Sequence, residues 1–285
     1  MPSKILWTDQ TWNPIIGCSK VSPGCEHCYA ERMAARLSSI QIKKFADGKA
    51  PDMGPYSKVV SGSRTGKFVW FGNTVFVESA LEKPLHWKTP RMIFVCSMGD
   101  LFHESVPFSW IEKVMSVIEE CPQHTFQVLT KRPHIMAEYF NGLGKSFELS
   151  CLHNLWLGVT AENQEQADIR IPILLQIPAA KRFVSVEPML GSVKIWERLP
   201  NGAMLCPGPI ANGRGLDWVI CGGESGPGAR PMHPDWVRSI RDQCQAAGVP
   251  FFLKQMEVDG KLVKMPELDG KVWAEVPEQL QLDGG

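Results

Sequence analysis

Cys18, Cys25 and Cys28 stand in a C-x6-C-x2-C spacing within Gly17-Cys18-Ser19-Lys20-Val21-Ser22-Pro23-Gly24-Cys25-Glu26-His27-Cys28-Tyr29. Three thiolates on one short loop can hold three irons of a [4Fe-4S] cluster and leave the fourth iron open to another ligand. An odd number of close cysteines and a C-x2-C pair argue against a disulfide framework and for shared metal ligation. Zinc is the rival reading, with His27 or a distant cysteine completing a tetrahedron, and thiolate softness does not choose between the two. Gly17, Pro23 and Gly24 suit a loop that wraps closely around a metal centre. Of the other cysteines, Cys96 and Cys221 lie in apolar runs, and Cys121, Cys151, Cys206 and Cys244 lack a C-x2-C partner, so all six read as structural.

Such a loop acts only if the fold brings other groups to it. From about residue 90 onward short apolar runs alternate with helix-length amphipathic segments, the pattern of repeated β-α units over a parallel sheet. Strands are predicted at Trp12 to Gly17, Met92 to Ser97, Thr125 to Leu129, Leu155 to Val159, Arg182 to Val186, Trp218 to Cys221 and Phe251 to Leu253. Helices are predicted at Tyr29 to Leu37, Ser109 to Glu120, His134 to Asn141, Gln164 to Gln176 and Pro234 to Ala247, with Ser109 and Asp235 as caps, Pro172 breaking or bounding the fourth and Gly248 stopping the last. The expected fold is α/β, a partial or irregular (β/α) TIM-type barrel of six to seven parallel strands. Right-handed crossovers would put the polar cluster after each strand on one rim, beside the cysteine loop.

The expected barrel covers residues 1–256, with Gly- and Pro-rich insertions at 38–87 and 191–215 and a C-terminal extension at 257–285. A hairpin is expected around Lys67 to Val77, and Asp259-Gly260 and Asp269-Gly270 signal tight turns in the extension. With 44% hydrophobic and 21% charged residues the chain can bury a full core. Its longest apolar runs are strand-sized, which points away from a membrane, and its start lacks a signal-peptide pattern, which makes a cytoplasmic location the expectation. Thirty basic residues balance thirty acidic ones, so an undirected grip on long nucleic acid is not expected. Lys43-Lys44, Arg64, Lys67 and Lys131-Arg132 could form a local basic face, although scattered solvated lysines account for them more simply.

Several runs resemble the phage Gp37/Gp68 (DUF5131) family, whose members look like radical S-adenosylmethionine (SAM) enzymes: Trp12-Asn13-Pro14, Cys25 to Ala30, Ser97 to Glu104, Leu129 to Pro133, Trp156 to Asn163, Arg182 to Pro188, Gly222 to Gly226, Ala229-Arg230-Pro231 and Phe251 to Gln255. The resemblance runs in order through residues 5 to 256, and the first cysteine spacing is three residues longer than the C-x3-C usual in the radical SAM superfamily. It implies a radical SAM barrel in which Cys18, Cys25 and Cys28 hold the cluster and SAM chelates the open iron. An electron from a reducing donor then cleaves SAM to a 5′-deoxyadenosyl radical that abstracts hydrogen from a substrate, and a modified nucleobase in DNA or RNA, isomerised or cleaved, is the substrate class suggested.

Under that resemblance His27, Ser97, Gly99, Asp100, Thr160, Glu162, Asn163 and Glu187 are assigned to SAM. Asp100 would accept a charge-assisted bond from the SAM amino group, and Thr160, Glu162 and Asn163 would meet a ribose diol or an amino-acid head. The residues alone allow other roles: a backbone-bonded loop histidine at 27, a turn cap at Asp100, a helix cap at Asn163 and a core ion pair for Glu187. Glu224, Lys131, Arg132 and Lys254 are the catalytic or substrate candidates, the cations suiting a phosphate or carboxylate. The alternative is a zinc-stabilised module that binds nucleic acid or a partner without catalysis.

Overall fold

The computed structural model describes residues 5–61, 69–142, 153–177, 179–198, 204–205 and 215–278. An eight-stranded, mostly parallel sheet curls into a half-barrel. Its strands are β1 (Gln10–Trp12), β2 (Met92–Val95), β3 (Thr125–Thr130), β4 (Leu155–Thr160), β5 (Lys181–Val186), β6 (Trp218–Gly222), β7 (Phe251–Val258) and β8 (Lys261–Lys264). Spatial order follows chain order, and only β8 runs antiparallel to its neighbour. The connecting helices are α1 (Tyr29–Ala46), α2 (Phe108–Glu119), α3 (Pro133–Gly142), α4 (Gln164–Gln176) and α5 (Pro234–Ala247). No described helix is long and apolar enough to cross a membrane.

Two-residue alternation sorts each strand's side chains. Ile93 and Val95, Phe126 and Val128, Leu157 and Val159, Val184 and Val186, and Val219 and Cys221 join the large core that also takes in α2, α4 and α5. The intervening positions face the other way. Phe94, Trp156, Phe183, Trp218 and Phe252 form a second cluster with Trp7 and Ile220; Trp218 meets Phe183 at 6.0 Å, Trp156 at 6.0 Å and Phe252 at 6.1 Å between ring centroids. Ser185 lies two residues beyond Phe183 and Thr160 four beyond Trp156, so on these strands the inner face passes from aromatic to polar toward the carboxyl end.

Some expected boundaries shift. The first predicted strand divides at Pro14: Gln10–Trp12 joins the main sheet, whereas Ile15–Ile16 pairs antiparallel with Val75–Phe76. The expected hairpin near Lys67 to Val77 is replaced by that pairing and by Val60–Ser61 against Val69–Trp70, with residues 62–68 outside those described. α1 runs nine residues past Leu37 although its buried positions end at Ser38, so the first insertion starts later than residue 38. Pro172 lies inside α4, which tolerates the missing N–H because Ile171, Leu174 and Leu175 are buried around it. α2 is capped by Pro107 and α5 by His233, whose Nδ1 accepts from Asp235 N at 3.2 Å, in place of Ser109 and Asp235. Gly248 does end α5, in the left-handed conformation. The tail turns at Asp259-Gly260 and Asp269-Gly270 as expected, and returns to the sheet where Leu253 N donates to Trp273 O at 2.8 Å. Of the second insertion, residues 199–203 and 206–214 lie outside the described part, as do Cys151 and Cys206.

Candidate functional site

The cysteine loop is tied to the carboxyl end of β2 before its first thiol. Gly17 N donates to Met98 O at 3.0 Å and Gly17 bridges Gly99. Gly17 has φ +95 and packs so closely on Val59 that a Cβ would lie 2.8 Å from Val59 Cγ1, so the position requires glycine. Asn13 Oδ1 accepts from Met98 N at 2.9 Å and Ser97 Oγ at 3.1 Å, which holds the strand end beside the loop. The loop then makes a 3-10 turn at Pro23–Cys25, and Cys28 is the N-cap of α1.

Cys18, Cys25 and Cys28 are unpaired and half-buried. All three line one cavity at the carboxyl ends of the strands, together with His27, Ser97, Gly99, Asp100, Lys131, Arg132, Thr160, Glu187, Glu224 and Lys254. Its walls also carry Tyr29, Trp70 and Ser185, and its floor Ile5, Trp7, Phe94 and Leu129. Among the described residues no three His, Cys, Asp or Glu side chains converge as a single metal ion would require.

Three carboxylates around the loop are each held by cations. Glu162, fully buried, accepts from Arg170 Nη1 at 2.9 Å and from Gly24 N at 3.1 Å. Burial alone would raise its pKa, but Lys131 and Arg170 bring it below the usual value. A Cβ at Gly24 would lie 2.9 Å from Glu162 Cδ, so glycine lets the loop settle on this acid. Glu224 accepts from Arg230 Nη2 at 2.5 Å and Nε at 3.0 Å, and its Oε2 lies 2.8 Å from His27 Nδ1. Despite burial, these bonds depress its pKa to about 2. Arg230 also reaches Pro23 O at 2.9 Å and Glu26 at 3.1 Å, and Arg32 Nη2 reaches Ser225 O at 2.7 Å, so two guanidinium groups clamp the cysteine loop to the segment after β6.

Asp100 accepts from Thr130 Oγ1 at 2.8 Å, Phe102 N at 3.0 Å and Arg132 Nη1 at 3.1 Å. Arg132, 1% exposed, also donates to Glu104 at 2.7 Å, to Ser19 Oγ at 2.7 Å and to Cys18 Sγ at 3.7 Å. Burial pushes the Cys18 thiol up to about 12 and Asp100 adds to this, while Arg132 opposes both. His103 packs behind this group, with Nδ1 accepting from Ser105 N at 3.0 Å and Nε2 2.9 Å from Ser19 Oγ; burial lowers its pKa.

The expected rim therefore divides into groups facing the cavity and groups fixing those that do. Ser97, Gly99, Thr160 and His27 line it, and Glu187 and Lys254 line it as an ion pair. Lys131 lines it with no ion pair among the described residues. Asp100, Arg132 and Glu224 touch the cavity, but their charged atoms are committed to one another or to Arg230. Glu162 and Asn163 are not among its walls; Glu162 supports Gly24, and Asn163 Oδ1 caps α4 by accepting from Gln166 N at 3.0 Å. Arg170, Arg230 and Ser185 are not among the expected site residues, although Arg230 and Ser185 lie in runs that carry the resemblance. Ser185 was readable, because it lies two residues after Phe183 and two before Glu187 on one face of β5.

A family model described as "Protein of unknown function (DUF5131)" matches residues 2–277. Among curated proteins and among solved structures nothing matches.

Proposed function

The chain belongs to the DUF5131 family, and from that premise we propose that its cavity is the active site of a radical SAM enzyme built on a TIM-type barrel. The observation that carries the reading is the opening of Cys18, Cys25 and Cys28, all unpaired, onto one cavity at the carboxyl ends of parallel strands. These donors fit the group: three soft thiols, with Cys96 the one other cysteine on the cavity wall among the described residues, buried just after β2 with its pKa pushed up by that burial. Cys18, Cys25 and Cys28 would hold a [4Fe-4S] cluster, which, reduced by an external one-electron donor, would supply the electron for cleavage of SAM to methionine and a 5′-deoxyadenosyl radical that takes hydrogen from the substrate.

The chain's own residues bind, orient and shield. Gly17 and Gly99 let the loop lie against β2, and Glu162 and Arg230 fix its turn through Gly24 N and Pro23 O. Arg132 offers a hydrogen bond to Cys18 Sγ. The Glu187–Lys254 pair presents both charge signs at the mouth, matching the ammonium and carboxylate of an amino-acid head, and Lys131 adds a cation for an anionic group. Thr160 and Ser185 supply hydroxyls, and the aromatic floor excludes water from the reacting centre. A modified nucleobase is the proposed substrate class.

Anaerobically reconstituted protein is expected to bind iron and sulfide, absorb broadly near about 400 nm and form 5′-deoxyadenosine from SAM with a reductant. Cys25→Ala should abolish that product. Stoichiometric zinc without iron or sulfide would replace this reading with the zinc module.

A further inference from the structure

The outward side of α1 carries a stripe that no part of the described fold covers. Tyr29, Met33, Arg36, Ile40, Lys43 and Lys44 recur at helical spacing opposite the buried Ala30, Ala34, Ala35 and Ser38. Tyr29 is 46% exposed, Met33 43% and Ile40 43%, and the three cations are exposed as well. None of Arg36, Lys43 and Lys44 has an ion pair among the described residues. No acid interrupts the stripe: Glu31 points to the buried side, where Lys20 at 3.1 Å and Trp70 N at 2.9 Å hold it, and Asp47 follows the helix end beside Lys49. The stripe begins at the cavity. The Tyr29 hydroxyl donates to Ser97 O at 2.9 Å inside the wall while the residue stays half exposed, and from there the helix leads away for about 22 Å.

We propose that this face is a track for a single DNA strand, one base of which enters the cavity; the proposal rests on reading that cavity as the reaction centre. Cations along the line meet phosphates, the Tyr29 ring at the cavity end offers a base a stacking face, and Met33 and Ile40 add apolar contact, a simpler form of the basic groove with aromatic platforms that holds single strands without sequence preference. A duplex hides its base faces and offers only phosphates to such a surface. An anionic membrane is met by helices whose apolar side chains fill one sector with basic residues on another, whereas here the two kinds share one line, Tyr29, Met33, Arg36, Ile40, Lys43 and Lys44. The stripe has no amide or aliphatic hydroxyl to reward a 2′-hydroxyl, which makes DNA sufficient.

The test is fluorescence anisotropy of labelled oligothymidylate with the full chain, over a range of salt. Arg36→Gln/Lys43→Gln/Lys44→Gln is expected to weaken binding at least about 10-fold at low salt and to reduce the slope of log affinity against log salt by about 2. Met33→Ser/Ile40→Ser should weaken binding with the slope kept. Circular dichroism and melting confirm that both variants fold, and SAM cleavage without DNA is the separate measure of the reaction centre. Oligothymidylate binding in a protein that assembles no cluster would leave the track standing and remove the proposed reaction. Working SAM cleavage with no wild-type oligothymidylate binding, with unchanged binding in the triple variant, or with binding to phosphatidylserine vesicles in its place would overturn the track alone.

Discussion

Replacing Arg230 with methionine removes the strongest partner of a buried carboxylate and loosens the cysteine loop at the same time. The Glu224 side chain is 4% exposed, and its pKa falls from 4.5 to about 2 because bonds from Arg230 and His27 outweigh burial. A depressed carboxylate pKa contributes stability that is present above the unfolded value and is lost as pH falls through the folded one. That gap corresponds to about 3 kcal/mol at neutral pH, of which about 1 kcal/mol is gone by about pH 3.5. Arg230→Met keeps the bonds to Glu224 from the residue 230 backbone N–H at 2.9 Å and from His27, so it should cost part of this, at most about 3 kcal/mol near pH 7. Urea melts of the metal-free protein at neutral pH and near about pH 3.5 measure this, with Glu224→Gln as the variant whose stability should lose this pH dependence. The gap between wild type and Arg230→Met should narrow at the lower pH. An equal gap at both would assign the stabilisation to Pro23 O and packing, and no gap at all would refute the clamp.

Gly24→Ala should force the loop off Glu162, lowering stability by about 1–3 kcal/mol; thermal melting and iron bound per chain check it, and unchanged values in both would show that the loop has room to spare. Arg132→Met leaves Asp100 buried without its cation, a loss of about 3–5 kcal/mol in urea melts, and Arg132→Lys should recover only part because it lacks the guanidinium fork that spans Asp100, Glu104 and Ser19. Lys131→Ala should cost some stability, since Lys131 helps hold the buried Glu162 charged, and should also weaken SAM binding in calorimetry; a drop in melting temperature with unchanged affinity would make Lys131 purely structural.

Alternation and flanking turn residues make most of the fold legible. Val219, Ile220 and Cys221 read as a strand from any short window, and their apolar neighbours in space only reinforce the choice. Failures cluster where pairing is decided at long range: Ile15–Ile16 could continue β1 on local grounds, but Val75–Phe76 captures it. The site shows the same division. Polar residues just after strands were visible, since a parallel sheet gathers them on one rim. Which acids face a ligand was not visible, because Asp100 meets Arg132, Glu162 meets Arg170 and Glu224 meets Arg230 through side-chain geometry that spacing does not encode. The roles of Arg170 and Arg230 are hidden for the same reason: each looks like an ordinary surface arginine until the fold turns it inward.

The packed rings of Trp156, Phe183, Trp218 and Phe252 have a consequence for traffic. They fill the inner face of the curl on the amino-terminal side of Thr160 and Ser185, so among the described residues that side is packed with rings rather than water. A molecule that comes to the thiols meets the Trp7 and Phe94 rings of this cluster at the cavity wall, and they limit how deep it travels.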